Sequence, residues 1–253
     1  MCKSFLTQSW IVLALATTPL MAGDGDKDAS KDLPSHSRLS SALKSVVDVG
    51  GTNNAGFGLN MWATIVNRDG EVIAVAFSGQ DRGDQWPGSR VISAQKANTA
   101  NAFSLPGLAL STANLYTAVQ PGGSLYGLQH SNPVDTHVAY GGSSKNNGQP
   151  NDAMVGGKIG GVNVFGGGLA LYNRQGKLVG AVGVSGDTSC TDHIVAWKLR
   201  KALGLDYVPA GVSPTHDDNI VYDPASGWAH PDCGGDAKTI AENLPNTHPI
   251  SHN

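Results

Sequence analysis

Two stretches of the chain are built alike, and together they decide what it can fold into. Residues 61–77 read MWATIVNRDGEVIAVAF and residues 170–184 read ALYNRQGKLVGAVGV. In each, two β-rich runs flank a short turn that ends in glycine, Asn67-Arg68-Asp69-Gly70 and Asn173-Arg174-Gln175-Gly176. Runs of this kind around such a turn predict β-hairpins. The two look like structural counterparts, one early and one late in a single sheet.

The segments around them read as helices and loops. Leu39, Leu43, Val46 and Val47 share one face of a helix over 37–49, which Gly50-Gly51 stops. A second helix is expected over 90–103. Its Ser93, Ala97, Ala100 and Ser104 make a narrow stripe of small residues, which would let another backbone or a flat ligand come close. Ser111 can cap a further helix through Val119. Residues 127–161 are rich in Gly, Asn, Ser and Pro and read as a long loop. A last helix is expected from about Asp192 to Leu203, capped by Thr191 or Asp192 and stopped by Gly204. The order helix, hairpin, helix, helix, loop, hairpin, helix gives the α+β class, an antiparallel sheet with helices packed on it.

The N-terminus reads as an export signal. Lys3 precedes an apolar stretch too short to span a bilayer, and cleavage is expected after Ala22. The expected organisation is a signal peptide at 1–22, a flexible lead-in at 23–36, one domain at 37–204 and a C-terminal tail at 205–253. The mature chain is then periplasmic or secreted. It keeps two cysteines, Cys190 and Cys233, and in an oxidising compartment the simplest arrangement is a disulfide tying the tail back. A net charge of −3 offers no basic field for nucleic acid or anionic lipid.

The glycines carry the functional question. Gly183-Val184-Ser185-Gly186-Asp187 lacks the last glycine of a nucleophile elbow. No phosphate loop is present, and Gly166-Gly167-Gly168 precede a strand where a dinucleotide fingerprint would follow one. They could form a pocket rim that a ligand or a neighbouring helix approaches, or a plain strand entry. The helix start after Gly186 offers N–H groups suited to a carboxylate.

Several blocks resemble one family. SRVISAQKANTANAF, PGGSLYGLQHSNP, VFGGGLALYNRQGKLVGAVGVSG and the aspartate at Asp192 are similar, in order, to the GlcG/HbpS family, the haem-degrading or DUF336 domain. Lys96-Ala97, Thr99-Ala100, Gly166-Gly167-Gly168 and the Gly180–Gly186 block carry the match, with Ala170 where many members have proline. The resemblance covers about residues 37–204. It implies a profilin-like sandwich, homo-oligomers and, in some members, haem binding or degradation. In the haem-sensing type an acidic pair precedes the Lys-Ala. Val91 and Ala94 stand there in this chain.

Haem is therefore the expected cofactor, with Lys96, Thr99, Gly166, Gly167, Gly168, Ser185 and Gly186 around it and helix N-termini meeting its propionates. His130 is the candidate axial ligand to iron, and His193, at the start of the last helix, is a second candidate. Lys96 could pair with a propionate or with a core carboxylate. Thr99 could simply bond back to its own backbone. The histidines and aspartates of the tail could also hold a transition metal. The expected function is an exported, oligomeric haem-binding protein that sequesters or oxidatively degrades haem. The alternative is a non-catalytic binding or sensory module for another small organic ligand.

Overall fold

The structure, a computed structural model, describes residues 29–252. The expected signal peptide and the first part of the lead-in lie outside the described residues. Both hairpins form. Strands β1 (Trp62–Asn67) and β2 (Val72–Phe77) make the first, and β3 (Gly168–Tyr172) and β4 (Leu178–Ser185) the second. They join into one antiparallel sheet in the order β2-β1-β4-β3, with Trp62 opposite Phe77 on one side and Ser185 on the other.

The sheet is covered on both faces. Helix α2 (Ser89–Phe103) lies on one face, against β4, β1 and β3. Helices α1 (His36–Val46) and α5 (Ser189–Leu203) cover the other. Strand alternation sorts the core accordingly. Ala63, Ile65, Val182 and Val184 pack with Leu39, Leu43 and Ile194. Trp62, Val66 and Ala181 pack with Val91, Ala94 and Ala97.

The small-residue stripe of α2 is spent on this packing. Ser93, Ala97 and Ala100 are fully buried, and the Ser93 hydroxyl lies 2.7 Å from that of Thr64 on β1. A side chain at Gly183 would meet the Ser93 carbonyl oxygen at 1.9 Å. The space expected for a flat ligand between helix and sheet is closed, because bare backbone on β4 lets α2 settle directly on the strand.

Other expectations change in detail. The last helix starts three residues earlier, at Ser189, and its cap is Thr188, whose hydroxyl accepts from Thr191 N. Ser111 caps a 3₁₀ turn at Thr112–Leu115, and a second turn follows at Thr117–Val119 in place of one helix. The described part of the lead-in is ordered: Asp32 accepts from the Asn173 side chain at 2.7 Å, and Ser35 caps α1. The long segment carries short helices α3 (Leu128–Ser131) and α4 (Thr136–Tyr140) and then lines the β2 edge, where Gly156 N donates to Val72 O and Val72 N to Gly157 O.

The tail also folds. Helices α6 (Ala237–Glu242) and α7 (Leu244–Thr247) put Ala237, Ala241 and Leu244 into the α5-side core. Three buried ion pairs hold the parts together. Arg90 at the start of α2 clamps Asp152 of the long segment, Lys96 reaches Asp192 on α5, and Arg200 grips Asp218 of the tail with both guanidinium N–H groups at 2.7 Å. The Cys190–Cys233 disulfide forms and adds a covalent tie between α5 and the tail.

Candidate functional site

An open cleft of about 290 Å³ lies where the N-terminal ends of α2 and α5 meet the end of β4. Its polar floor is Lys96, Ser185, Asp187 and Asp192, and Ser89 and Ser189 stand at the two helix starts. Ile92 and two aromatic side chains supply its apolar surface. Trp86 is 51% exposed and Phe165 48%, and the cleft brings the two rings together.

The floor is built from the motif residues, and its lysine and both carboxylates have protein partners. Lys96 Nζ lies 2.6 Å from Asp192 Oδ2 and donates to Val184 O. Asp192 Oδ1 accepts from the backbone N–H groups of Gly186 and Asp187 at 3.0 and 2.9 Å. Asp187 in turn accepts from Phe57 N, Leu59 N and Thr188 N. Burial dominates the titration of the pair. It lowers Lys96 from the usual lysine value against the pull of Asp192, and raises Asp192 to about 6 against the pull of Lys96.

This geometry sorts the expected site residues. Lys96 pairs with the core carboxylate, so it does not offer its charge to a propionate. The turn expected to meet a propionate is taken by the protein's own Asp192. Gly166, Gly167 and Gly168 make room for neighbouring protein. Side chains there would strike Ser189 O at 2.3 Å, Val184 O at 2.4 Å, and Thr112 Cγ2 at 2.4 Å with Lys96 O at 2.5 Å. Ser185 lines the cleft. Thr99 does not; its hydroxyl donates back to Gln95 O and accepts from Asn163 N.

The histidines separate clearly. His193 is fully buried on α5. Its Nε2 lies 3.1 Å from both Asn219 Oδ1 and Ile220 N, and its Nδ1 has no partner among the described residues. It does not reach the cleft. His130 is exposed on α3, outside the cleft lining, and its ring makes no hydrogen bond among the described residues. Asp217 and Asp218 of the tail are committed to Ser213 and Arg200. Trp86 and Phe165 were missed in the sequence. Their signal was available: Trp86 stands before Pro87-Gly88 and Phe165 before Gly166-Gly167-Gly168, each outside any apolar periodicity.

A larger groove of about 660 Å³ lies between the end of α1 and the tail. Its lysine, Lys198, is held by Asn53 O and the Asn54 side chain. None of the quoted family blocks borders it.

Burial also sets an acid limit on the fold. It lowers His193 to about 3 and His230 to about 4 from an ordinary 6.5. Their contribution to stability is complete above 6.5 and is lost as pH falls toward those values. Asp192, raised from 3.8 to about 6, acts in the opposite sense: its contribution is complete below 3.8 and is lost as pH rises through 6. Near pH 5, unfolding takes up two protons at the histidines and releases one at Asp192. The net uptake of about one proton weakens the fold by roughly 1.4 kcal/mol per pH unit between 6 and 4. Urea denaturation across that range should show the midpoint falling with pH, and His230→Gln should flatten the slope. A midpoint that rises toward pH 4 contradicts the assignment.

The family model for haem-degrading protein HbpS-like matches residues 52–200, more than half of the chain. Among solved structures, a PduOC:heme complex is 23% identical with a TM-score of 0.44, covering 66% of this chain and 89% of that one. The Klebsiella pneumoniae protein ORFY, a DUF336 protein, is 22% identical with a TM-score of 0.43, covering 79% and 97%. HbpS is 16% identical with a TM-score of 0.40, covering 68% and 90%. No curated protein matches the chain. With its four-stranded antiparallel sheet, helices on both faces and matched central domain, the chain belongs to the HbpS-like family.

Proposed function

We propose that the chain is an exported haem-binding protein that captures haem at the cleft by its apolar face. The observation that carries the reading is the pair of exposed rings, Trp86 and Phe165, at the mouth of a cleft built from the family's own motif residues. A porphyrin presents a broad apolar surface that such rings can stack on. Helix α2 has no side-chain cap, and Ser89 in its first turn lines the cleft, which provides polar contact for a propionate.

The donor set fits a haem gripped by stacking, and supplies no axial ligand within the cleft lining. His130 remains the candidate axial donor, because its imidazole is exposed and unengaged. Capture is favoured over turnover, since the acids and the lysine of the floor are all committed to protein partners. The export reading rests on the N-terminal signal and on the disulfide. Among the described residues no helix is long and apolar enough to cross a membrane.

Titrating haemin into the full chain should give a saturable Soret band. Trp86→Ala and Phe165→Ala should each weaken binding about 2–10-fold, and His130→Ala should shift the band. A non-saturating mixture overturns the haem reading. The modest cleft volume, with no axial donor in its lining, favours a second reading, a smaller planar organic ligand held by the same rings. Native mass spectrometry of protein from its own host would then reveal a co-purifying ligand.

A further inference from the structure

The disulfide is more than a staple, because a histidine stands beside it. Cys190, Cys233 and His230 bring their ligand atoms within 4.8 Å of one another. We propose that this cluster is a redox-gated metal site: reduced, Cys190, Cys233 and His230 bind a borderline divalent cation of the zinc type, and oxidised, the same residues hold the tail by the disulfide. The site is independent of haem binding.

The histidine is arranged as a ligand. Its Nδ1 lies 2.7 Å from Pro231 O, so the ring donates there and leaves Nε2 unprotonated, with a lone pair that accepts from the Ser189 hydroxyl until a cation displaces it. A second nitrogen held by a backbone carbonyl is the usual support of a metal-bound imidazole. Nε2 lies 3.2 Å from Ser189 Oγ, itself 3.6 Å from Cys233 Sγ, so the imidazole and the sulfur share one neighbour. The ring packs against Tyr116, with centroids 5.0 Å apart.

The sulfurs are placed for thiolate chemistry. Cys190 is the second residue of a 15-residue helix, and its N–H donates to Cys233 Sγ at 3.2 Å. A helix start stabilises the thiolate that metal binding requires. A tetrahedral zinc site with Zn–S of about 2.3 Å separates two sulfurs by about 3.7 Å. Opening the S–S bond supplies that separation without moving the elements apart. Cys233 is only partly buried, so a reductant can reach it.

The chemistry balances simply. A dithiol reductant gives two electrons and two protons to the Cys190–Cys233 bond and is itself oxidised to a disulfide, leaving two protein thiols. The cation then displaces the two thiol protons to solvent. The fourth position falls to water or to the Ser189 hydroxyl, which already lies beside His230 and Cys233.

Cobalt(II) is the probe. The full chain is reduced with a phosphine, its two freed thiols are counted, and Co²⁺ is titrated in. The expected result is a thiolate-to-cobalt charge-transfer band with tetrahedral visible bands, saturating at one ion per chain and bleached by zinc. Oxidised protein and the Cys190→Ser/Cys233→Ser variant should show neither. His230→Ala should weaken cobalt binding about tenfold or more. The proposal is overturned if the reduced chain gives no such band, or if His230→Ala leaves it unchanged. Should reduction unfold the chain, cobalt added during refolding must restore both near-ultraviolet circular dichroism and the bands. Refolding indifferent to cobalt overturns the proposal too.

Discussion

Lys96→Met should unfold the chain at a markedly lower urea concentration than the parent, with a loss of about 3–5 kcal/mol. The reason lies in what the lysine leaves behind. Asp192 is 2% exposed and sits under α2, β4 and the Gly186 turn. Its charge is tolerated because Lys96 Nζ lies 2.6 Å away and two backbone N–H groups point at it. Without the lysine, the carboxylate is buried beside two amides only, and Val184 O loses its donor. Unfolding or protonation is the escape. Losing Lys96 removes the charge that pulls Asp192 down, so the carboxyl rises further and the gap to the parent should narrow as pH falls from neutral toward 6.

The double variant separates charge from fold. Lys96→Met with Asp192→Leu removes both ions at similar volume. Buried ion pairs replaced by apolar groups are often neutral or stabilising. Two amides, Gly186 N and Asp187 N, would then lack an acceptor, at about 1–3 kcal/mol. The double variant should therefore be more stable than Lys96→Met. A double variant as weak as the single would mean that the pair holds the α2–α5 contact by geometry alone.

Much of this architecture was legible because its signals are local. The Asn67–Gly70 and Asn173–Gly176 turns carry their own chemistry, so both hairpins appear where they were read. Gly204 sits in the left-handed region and ends α5 as expected. What escaped depended on distant partners. The tail lacks periodicity, yet it folds because Arg200 binds Asp218 and because Ala241 and Leu244 find apolar surface on α5. Asp192 read as a helix cap. It turns inward because Lys96, almost a hundred residues earlier, waits there. The cleft itself was misplaced for the same reason. Small residues on α2 announced a close approach, and nothing local says whether ligand or strand makes it.

Gly183→Ala tests that last point directly. Gly183 lies in the middle of β4, with extended backbone that any residue can adopt, so conformational strain is not the issue. Space is. The new methyl would stand 1.9 Å from Ser93 O and 2.5 Å from Ala97 N, both backbone atoms of α2. No rotamer relieves such a contact, so the helix must lift from the sheet. Lifting it by the ångström or more required loosens Ala94, Ala97 and Ala100 from the strands and lengthens the Thr64–Ser93 hydroxyl contact. Overpacking of a dense core costs about 1–3 kcal/mol where side chains can adjust, and more where they cannot. A loss of about 3 kcal/mol or more is expected in urea denaturation. A lifted α2 also drags Lys96 away from Asp192, so the cleft floor should open with it and haemin affinity should fall in the folded fraction. If Gly183→Ala proves as stable as the parent, the helix rests on the sheet with room to spare, and the interior site that the small-residue stripe first suggested would be open after all.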